Sequence, residues 1–132
     1  MPGQRREIVS AGRRWADRYT YAPALRVGDM VFLSGTTGTD DEGRIVSPGD
    51  IVEQTRHIFR KFEQLLNAAG GSCEDIVETV DYITTTENYR ATAGVRREFL
   101  KDAKPASTGV IVAGLLREGA LIEISAVAVL RR

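Results

Sequence analysis

The chain has 132 residues, 42% hydrophobic and 27% charged, with 18 basic and 18 acidic side chains and a formal net charge of zero. That is the size and balance of one soluble domain over 1–132, and it lacks the electrostatic footprint of a general nucleic-acid binder. One histidine, His57, and one cysteine, Cys73, exclude an internal disulfide and a zinc site of the usual kind, and fit a reducing cytoplasm.

The lead segment, 1–18, opens "MPGQRREIVSAGRRW", basic but without the apolar stretch of a secretory leader. "EIVS" at 7–10 suits a short edge strand, and "ALRVGDMVFLSG" reads as strand, turn and strand with Gly28-Asp29 at the bend. "TDDEGR" at 39–44 crowds three acids without calcium-loop spacing and reads as a turn, and Arg44 to Val46 pairs briefly after it. Asp50 offers an N-cap with Glu53 three residues on. From Ile51 to Ala69 the apolar residues Ile58, Phe59, Phe62, Leu65 and Leu66 recur at helical spacing, with Arg56, Arg60, Lys61 and Glu63 on the other side. His57 sits among those cations and is expected to be solvated. Gly70-Gly71 stops the helix.

Ser72 to Asp75 is a connector, within which Cys73 is expected to be buried and inert. "IVETVDYITTT" at 76–86 is a strand, Glu87 to about Lys101 a second helix, and 107–113 and 120–130 two further strands. No apolar run approaches the ~20 residues of a membrane span, and there is no phosphate loop or nucleophile elbow. No metal and no cofactor is expected.

Two helices can cover one face of such a sheet. In the last strand Ile122, Ile124, Ala126, Ala128 and Leu130 line one face, while Leu121, Val127 and Val129 line the other, interrupted by Glu123 and Ser125. Both faces are too apolar for water. The second face is therefore expected to be buried by further copies of the chain, in a closed assembly.

The succession "YAPALRVGDMVFLSGTTG", "GDIVEQTRHIF", "LNAAGGSCEDIVETVDYIT", "FLKDAKPAST" and "IEISAVAV" resembles the Rid family, the reactive-intermediate deaminases, also known as the YjgF/UK114 or L-PSP endoribonuclease family. The resemblance runs from about Tyr21 to Leu130. It implies an α+β, chorismate-mutase-like fold, a mixed sheet with two helices on one face, assembled as a homotrimer with ligand clefts between subunits.

The resemblance also implies hydrolysis of small enamines and imines, made by pyridoxal-phosphate enzymes, to ammonia and a keto acid. Better-studied deaminases carry an arginine in a "PARS" motif that grips the substrate carboxylate in a forked pair. Here the motif reads "PAST", and Ser107 stands where the arginine is expected. Glu123 matches the acid credited with handling water, Tyr21 matches the site tyrosine, and Thr92 lies near an expected asparagine. Each has a plainer reading: Glu123 as a structural acid, Tyr21 as a packed aromatic, Ser107 as a small residue that fits, Thr92 as a helix-face residue.

Glu123 and Tyr21 are the catalytic candidates. Substrate-binding candidates are Ser107, Thr108, Ser34, Gly35 and Thr92. If the substrate is an amino-acid imine, loss of the arginine weakens it by roughly 2–4 kcal/mol, so a ligand less acidic at that end is expected. Trp15 offers a lid, and Arg13 or Arg14 a replacement clamp. The leading expectation is a deaminase-like hydrolase of altered substrate. The alternative is a non-catalytic metabolite-binding homologue. An endoribonuclease is disfavoured by the balanced charge and the lack of a histidine pair. The expected partners are a small molecule and the chain itself, with no membrane and no nucleic acid.

Overall fold

The computed structural model describes residues 5–12 and 19–131. Trp15, Arg13 and Arg14, the candidate lid and clamp, lie outside the described residues. The elements follow in the expected order: β1 (Arg6–Val9), β2 (Ala24–Val27), β3 (Met30–Thr37), α1 (Ile51–Ala68), β4 (Ile76–Ile83), α2 (Thr92–Leu100), β5 (Ala106–Ile111) and β6 (Ile122–Val129). They build one mixed sheet in the order β1-β2-β3-β6-β4-β5. Only β4 and β5 run parallel. A parallel pair cannot be joined by a tight turn, and α2 lies in the crossover between them.

Gly28 opens the two-residue loop between Val27 and Met30 with φ 63, the left-handed backbone such loops demand. The acidic stretch at 39–44 is a turn closed by the Thr39–Ile45 bridge. Asp50 caps α1, its carboxylate accepting from Glu53 N at 3.1 Å. Such a cap contributes about 1 kcal/mol. Gly70, at φ 91, turns the chain out of the helix.

Both helices lie on one face of the sheet. Ile58, Phe59, Phe62 and Leu66 of α1 are fully buried, as are Val31, Ile122, Ile124 and Ala128 of the strands. Each large side chain contributes roughly 1.5–3 kcal/mol by leaving water. The expected alternation in β6 is observed, with Ile122, Ile124, Ala126 and Ala128 buried. Ile8, Met30, Phe32, Val110 and Val129 stay exposed on the face without helices.

The structure corrects three local expectations. Lys61 is not on the solvent side of α1: it is 6% exposed. It lies seven residues after Gln54, itself fully buried, and seven residues is close to two turns, so both return to the inner stripe. His57 is half-buried rather than solvated, with Nε2 2.8 Å from Thr39 O. The second helix starts at Thr92 rather than Glu87, because Asn88 adopts φ 60 and a 3-10 turn, Tyr89–Ala91, intervenes. A left-handed residue cannot be carried inside a right-handed helix. Cys73 is buried as expected, and burial pushes its thiol up to about 12.

Candidate active site

Strand alternation sends Glu123 away from the helices, between Ile122 and Ile124, which point into the core. Its carboxyl is half-buried, and that burial raises its pKa above the ordinary 4.5. Among the described residues no side chain bonds it. A partly dehydrated acid without a partner, facing a cavity, is the kind of group that can move a proton.

The cavity is a cleft of about 610 Å3 where β3 leaves the sheet. Its wall beside Glu123 is made by an irregularity in β3. Leu33 pairs with Ala126 and Thr36 with Ile124, so Ser34 and Gly35 together oppose the single residue Ser125. This is a β-bulge, which bends its strand and re-aims the residues beside it. The bulge brings the Gly35 backbone against Glu123: a Cβ on Gly35 would lie 2.7 Å from Glu123 Oε2.

Tyr21 lines the same cleft, half exposed, its ring 5.6 Å from that of Tyr19. Ser34 lines it too, but its donors are committed. Its hydroxyl donates to Ala22 O at 2.6 Å and its backbone N–H to Pro23 O at 3.0 Å. Ser34 therefore faces the cleft as an acceptor. Asp40 to Gly43, Leu116 and Arg117 form the rim. The two rim segments touch, since a Cβ on Gly43 would lie 3.1 Å from Arg117 Nη1.

Glu123, Tyr21, Ser34 and Gly35 are thus gathered in one place, whereas Ser107, Thr108 and Thr92 do not line this cleft. Ser107 is in the edge strand β5 and accepts from Thr79 Oγ1 at 3.3 Å. Thr108, beside Val80, is exposed on the face without helices. Thr92 is 2% exposed and its hydroxyl donates to Tyr89 O at 2.7 Å, closing the start of α2.

Two groups escaped the sequence reading. Lys61 lines the cleft from α1, its ammonium donating to Thr37 O at 2.7 Å, Thr39 Oγ1 at 2.8 Å and Thr36 Oγ1 at 3.2 Å. Its place on the stripe of Ile58 and Leu65 was the available signal. Asp81, fully buried in β4, accepts from Tyr89 Oη at 2.5 Å and from Arg96 Nη2 at 2.6 Å. Gly109 makes room for this group, because a Cβ there would lie 3.2 Å from Tyr89 Oη. Among the described residues no three His, Cys, Asp or Glu side chains gather as metal ligands would, and no helix is long and apolar enough to cross a membrane.

The chain matches the family model "Endoribonuclease L-PSP" over residues 13–130. It is 34% identical over 108 residues to the 3-aminoacrylate deaminase RutC of Acinetobacter baylyi, a match covering 82% of this chain and 85% of that protein. Its fold superposes with a TM-score of 0.79 on a member of the YjgF/YER057c/UK114 family from Mycobacterium tuberculosis, 32% identical, covering 96% of this chain and 100% of that one. RidA from an Antarctic Psychrobacter species gives a TM-score of 0.80 at 27% identity, covering 93% of this chain and 98% of that one. With the mixed sheet, the two helices on one face and a sequence match running nearly end to end, the chain belongs to the endoribonuclease L-PSP family, the YjgF/UK114 or Rid proteins.

Proposed function

We propose that the protein hydrolyses small enamines or imines, releasing ammonia and a carbonyl product. The observation that carries this reading is the Glu123 carboxyl, half-buried and without a bonded partner among the described residues, against Gly35 in a cleft large enough for a small metabolite. The similarity to a protein named as a deaminase supports it.

The chemistry asks little of the protein. Glu123 takes a proton from water as the water oxygen bonds to the imine carbon. The same proton goes to nitrogen, giving an amino alcohol; its hydroxyl proton then passes through the carboxylate to nitrogen as the carbonyl forms, and the C–N bond breaks to release ammonia. For an enamine, protonation at carbon first gives the imine, and a carboxyl of raised pKa suits that step. General acid–base help of this kind contributes roughly 10²–10⁴-fold. Tyr21 forms the wall of the cleft. No step requires a metal or a cofactor.

Ser107 and Thr108 enter through self-association. Their strand is at the sheet edge, Thr108 on the outward face that a further copy of the chain would cover and Ser107 exposed on the other, beside Thr79. A homotrimer would bring this strand towards a neighbour's cleft. A neutral serine where a charged clamp is expected favours a ligand that is not a carboxylate. The same serine favours a second reading, a metabolite-binding protein without turnover.

Ammonia release from a panel of freshly generated imines, wild type against Glu123→Gln, separates the two. Hydrolysis that falls about 10²-fold or more in the variant supports the enzyme. Tight binding without turnover by the wild type supports the second reading. Turnover that survives the substitution unchanged overturns the role of Glu123.

A further inference from the structure

We infer that Thr36 and Thr39, held by the Lys61 ammonium, form a subsite for a neutral carbonyl oxygen of the ligand. The substrate class is then an imine or enamine beside an amide, ester or ketone carbonyl, and the inference rests on the reading of the cleft as an imine-hydrolysing site.

The argument begins with proton bookkeeping. A lysine ammonium has three donors and no acceptor. Lys61 places them on Thr37 O, Thr39 Oγ1 and Thr36 Oγ1, at 2.7, 2.8 and 3.2 Å. Both threonine hydroxyl oxygens therefore accept from the cation, and each hydroxyl keeps one proton of its own to donate. Among the described residues those protons find only long contacts, 3.4 Å to Thr37 O in each case and, for Thr39, 3.5 Å to Thr37 Oγ1. That is outside the ordinary O–H···O range, and Thr37 O already takes the short bond from Lys61. Thr36, Thr39 and Lys61 all line the cleft, so a ligand oxygen there is the better acceptor. A hydroxyl that accepts from a cation is also polarised into a stronger donor.

The lining decides which oxygen. Asp40, Asp41, Glu42 and Glu123 border the cleft, against two described cations, Lys61 and Arg117. Lys61 has its protons turned to the protein. At the two hydroxyls a ligand carboxylate would find neutral donors and face more acids than cations among the described lining residues, whereas a carbonyl keeps both hydroxyl bonds without that repulsion. The subsite and the proposed base line the same cleft, with Thr36 paired to Ile124 and the intervening Thr37 paired to Glu123. A carbonyl held by Thr36 and Thr39 would place the ligand in the cleft that Glu123 borders.

The test uses two stable probes of one size, 2-oxobutanamide and 2-oxobutanoate. Each is titrated into the intact protein and followed by NMR. The amide is expected to bind the wild type about tenfold more tightly than the acid, one hydrogen bond's worth of discrimination. Thr36→Val with Thr39→Val should remove that advantage, and Thr39→Ser alone should retain it. Lys61→Met should behave like the double variant. If it does not fold, the threonine variants still answer. Wild-type amide binding in the double variant overturns the subsite, as does a preference for the acid or no amide binding by the wild type. Glu123→Gln keeps the amide affinity if the subsite is right, so a failure of the hydrolysis proposal and a failure of this one give different results.

Discussion

Gly35 and Glu123 share one volume: a Cβ on the first would lie 2.7 Å from Oε2 of the second. The bare backbone at the bulge is what lets the carboxyl rest where it does. Gly35 has no left-handed backbone to defend, so alanine meets no strain there. The clash falls on the far end of a flexible side chain, which swings aside. Gly35→Ala should therefore leave the melting temperature nearly unchanged but displace the carboxyl. Imine hydrolysis is expected to fall by about 10–100-fold, part of the contribution of the acid itself. An unimpaired Gly35→Ala enzyme would show that the carboxyl needs no fixed seat.

Burial raises the Glu123 pKa above 4.5, and the sign of its effect on stability follows. Folding favours the protonated form, so its contribution is fully present below the unfolded pKa and is lost as pH rises through the higher folded value. Glu123→Gln mimics the protonated form at every pH. Variant and wild type should melt together in acid, with the variant the more stable above that window. The difference will be small, because the carboxyl keeps substantial contact with solvent. Activity runs the other way. For an imine the ionised base is needed, so kcat/KM should climb as pH rises through the same raised pKa. Melting curves and rate profiles over one pH series check both halves.

The order of the elements, the inward face of β6 and the Asp50 cap were legible in the sequence, because each is written in local periodicity or in the chemistry of one residue. The candidate site was legible only in part. Glu123 declared itself as an acid within apolar alternation, but the Ser34–Gly35 bulge did not, since a bulge is a mismatch between two strands and has no signature in one. "LSGTTG" carried a glycine inside a strand, which is the faint trace such a bulge leaves. Lys61 was misplaced because a cation was taken as evidence of a wet face. Its angular position, shared with Ile58 and Leu65, already put it inside. The partnership of Asp81 with Arg96 is a tertiary pairing across fifteen residues, beyond any local pattern.

That pairing is strong enough to test by truncation. Asp81 is fully buried and is compensated by Arg96, which also lies 5.8 Å over the Phe59 ring, and by Tyr89 Oη. Removing the cation leaves a buried charge poorly matched. Arg96→Leu should cost about 3–5 kcal/mol. Tyr89→Phe removes one hydrogen bond to a charged group and should cost about 1.5–3 kcal/mol. Urea unfolding of the two variants should preserve that order, and equal losses would mean that Arg96 compensates no charge.

Gln54 ties together the loops that frame the cleft. Its amide nitrogen reaches Ser47 O at 3.3 Å and Gly119 O at 3.5 Å, and its oxygen accepts from Leu121 N at 2.9 Å. Leu121 is two residues before Glu123, so the side chain spans from the acidic turn's segment to the approach of β6. Gln54→Leu keeps the bulk and strands these polar groups. A loss of about 1–3 kcal/mol is expected. Hydrolysis should weaken through KM, since the rim is loosened and the base is not removed. A variant that unfolds at wild-type denaturant concentration would show that the loops hold themselves.

The uncovered face of the sheet gives the last expectation. Ile8, Leu25, Phe32 and Val127 fall in one row across β1, β2, β3 and β6, by the register of those strands. Phe32 is at its middle, 41% exposed, with Met30 and Val129 beside it. A row of apolar side chains on an otherwise water-facing sheet is costly for a lone chain and marks an interface. Its cover is proposed to be two further copies in a closed ring. Sedimentation should then give three times the 14.5 kDa chain mass. Phe32→Lys places a charge in the middle of the row that the proposed ring would cover, so each ring would have to bury three such charges. The variant should sediment as a folded monomer and lose hydrolysis, because β5 of a neighbour no longer approaches the cleft. A wild-type chain that sediments as a monomer at micromolar concentration, with full activity, would remove Ser107 and Thr108 from the site.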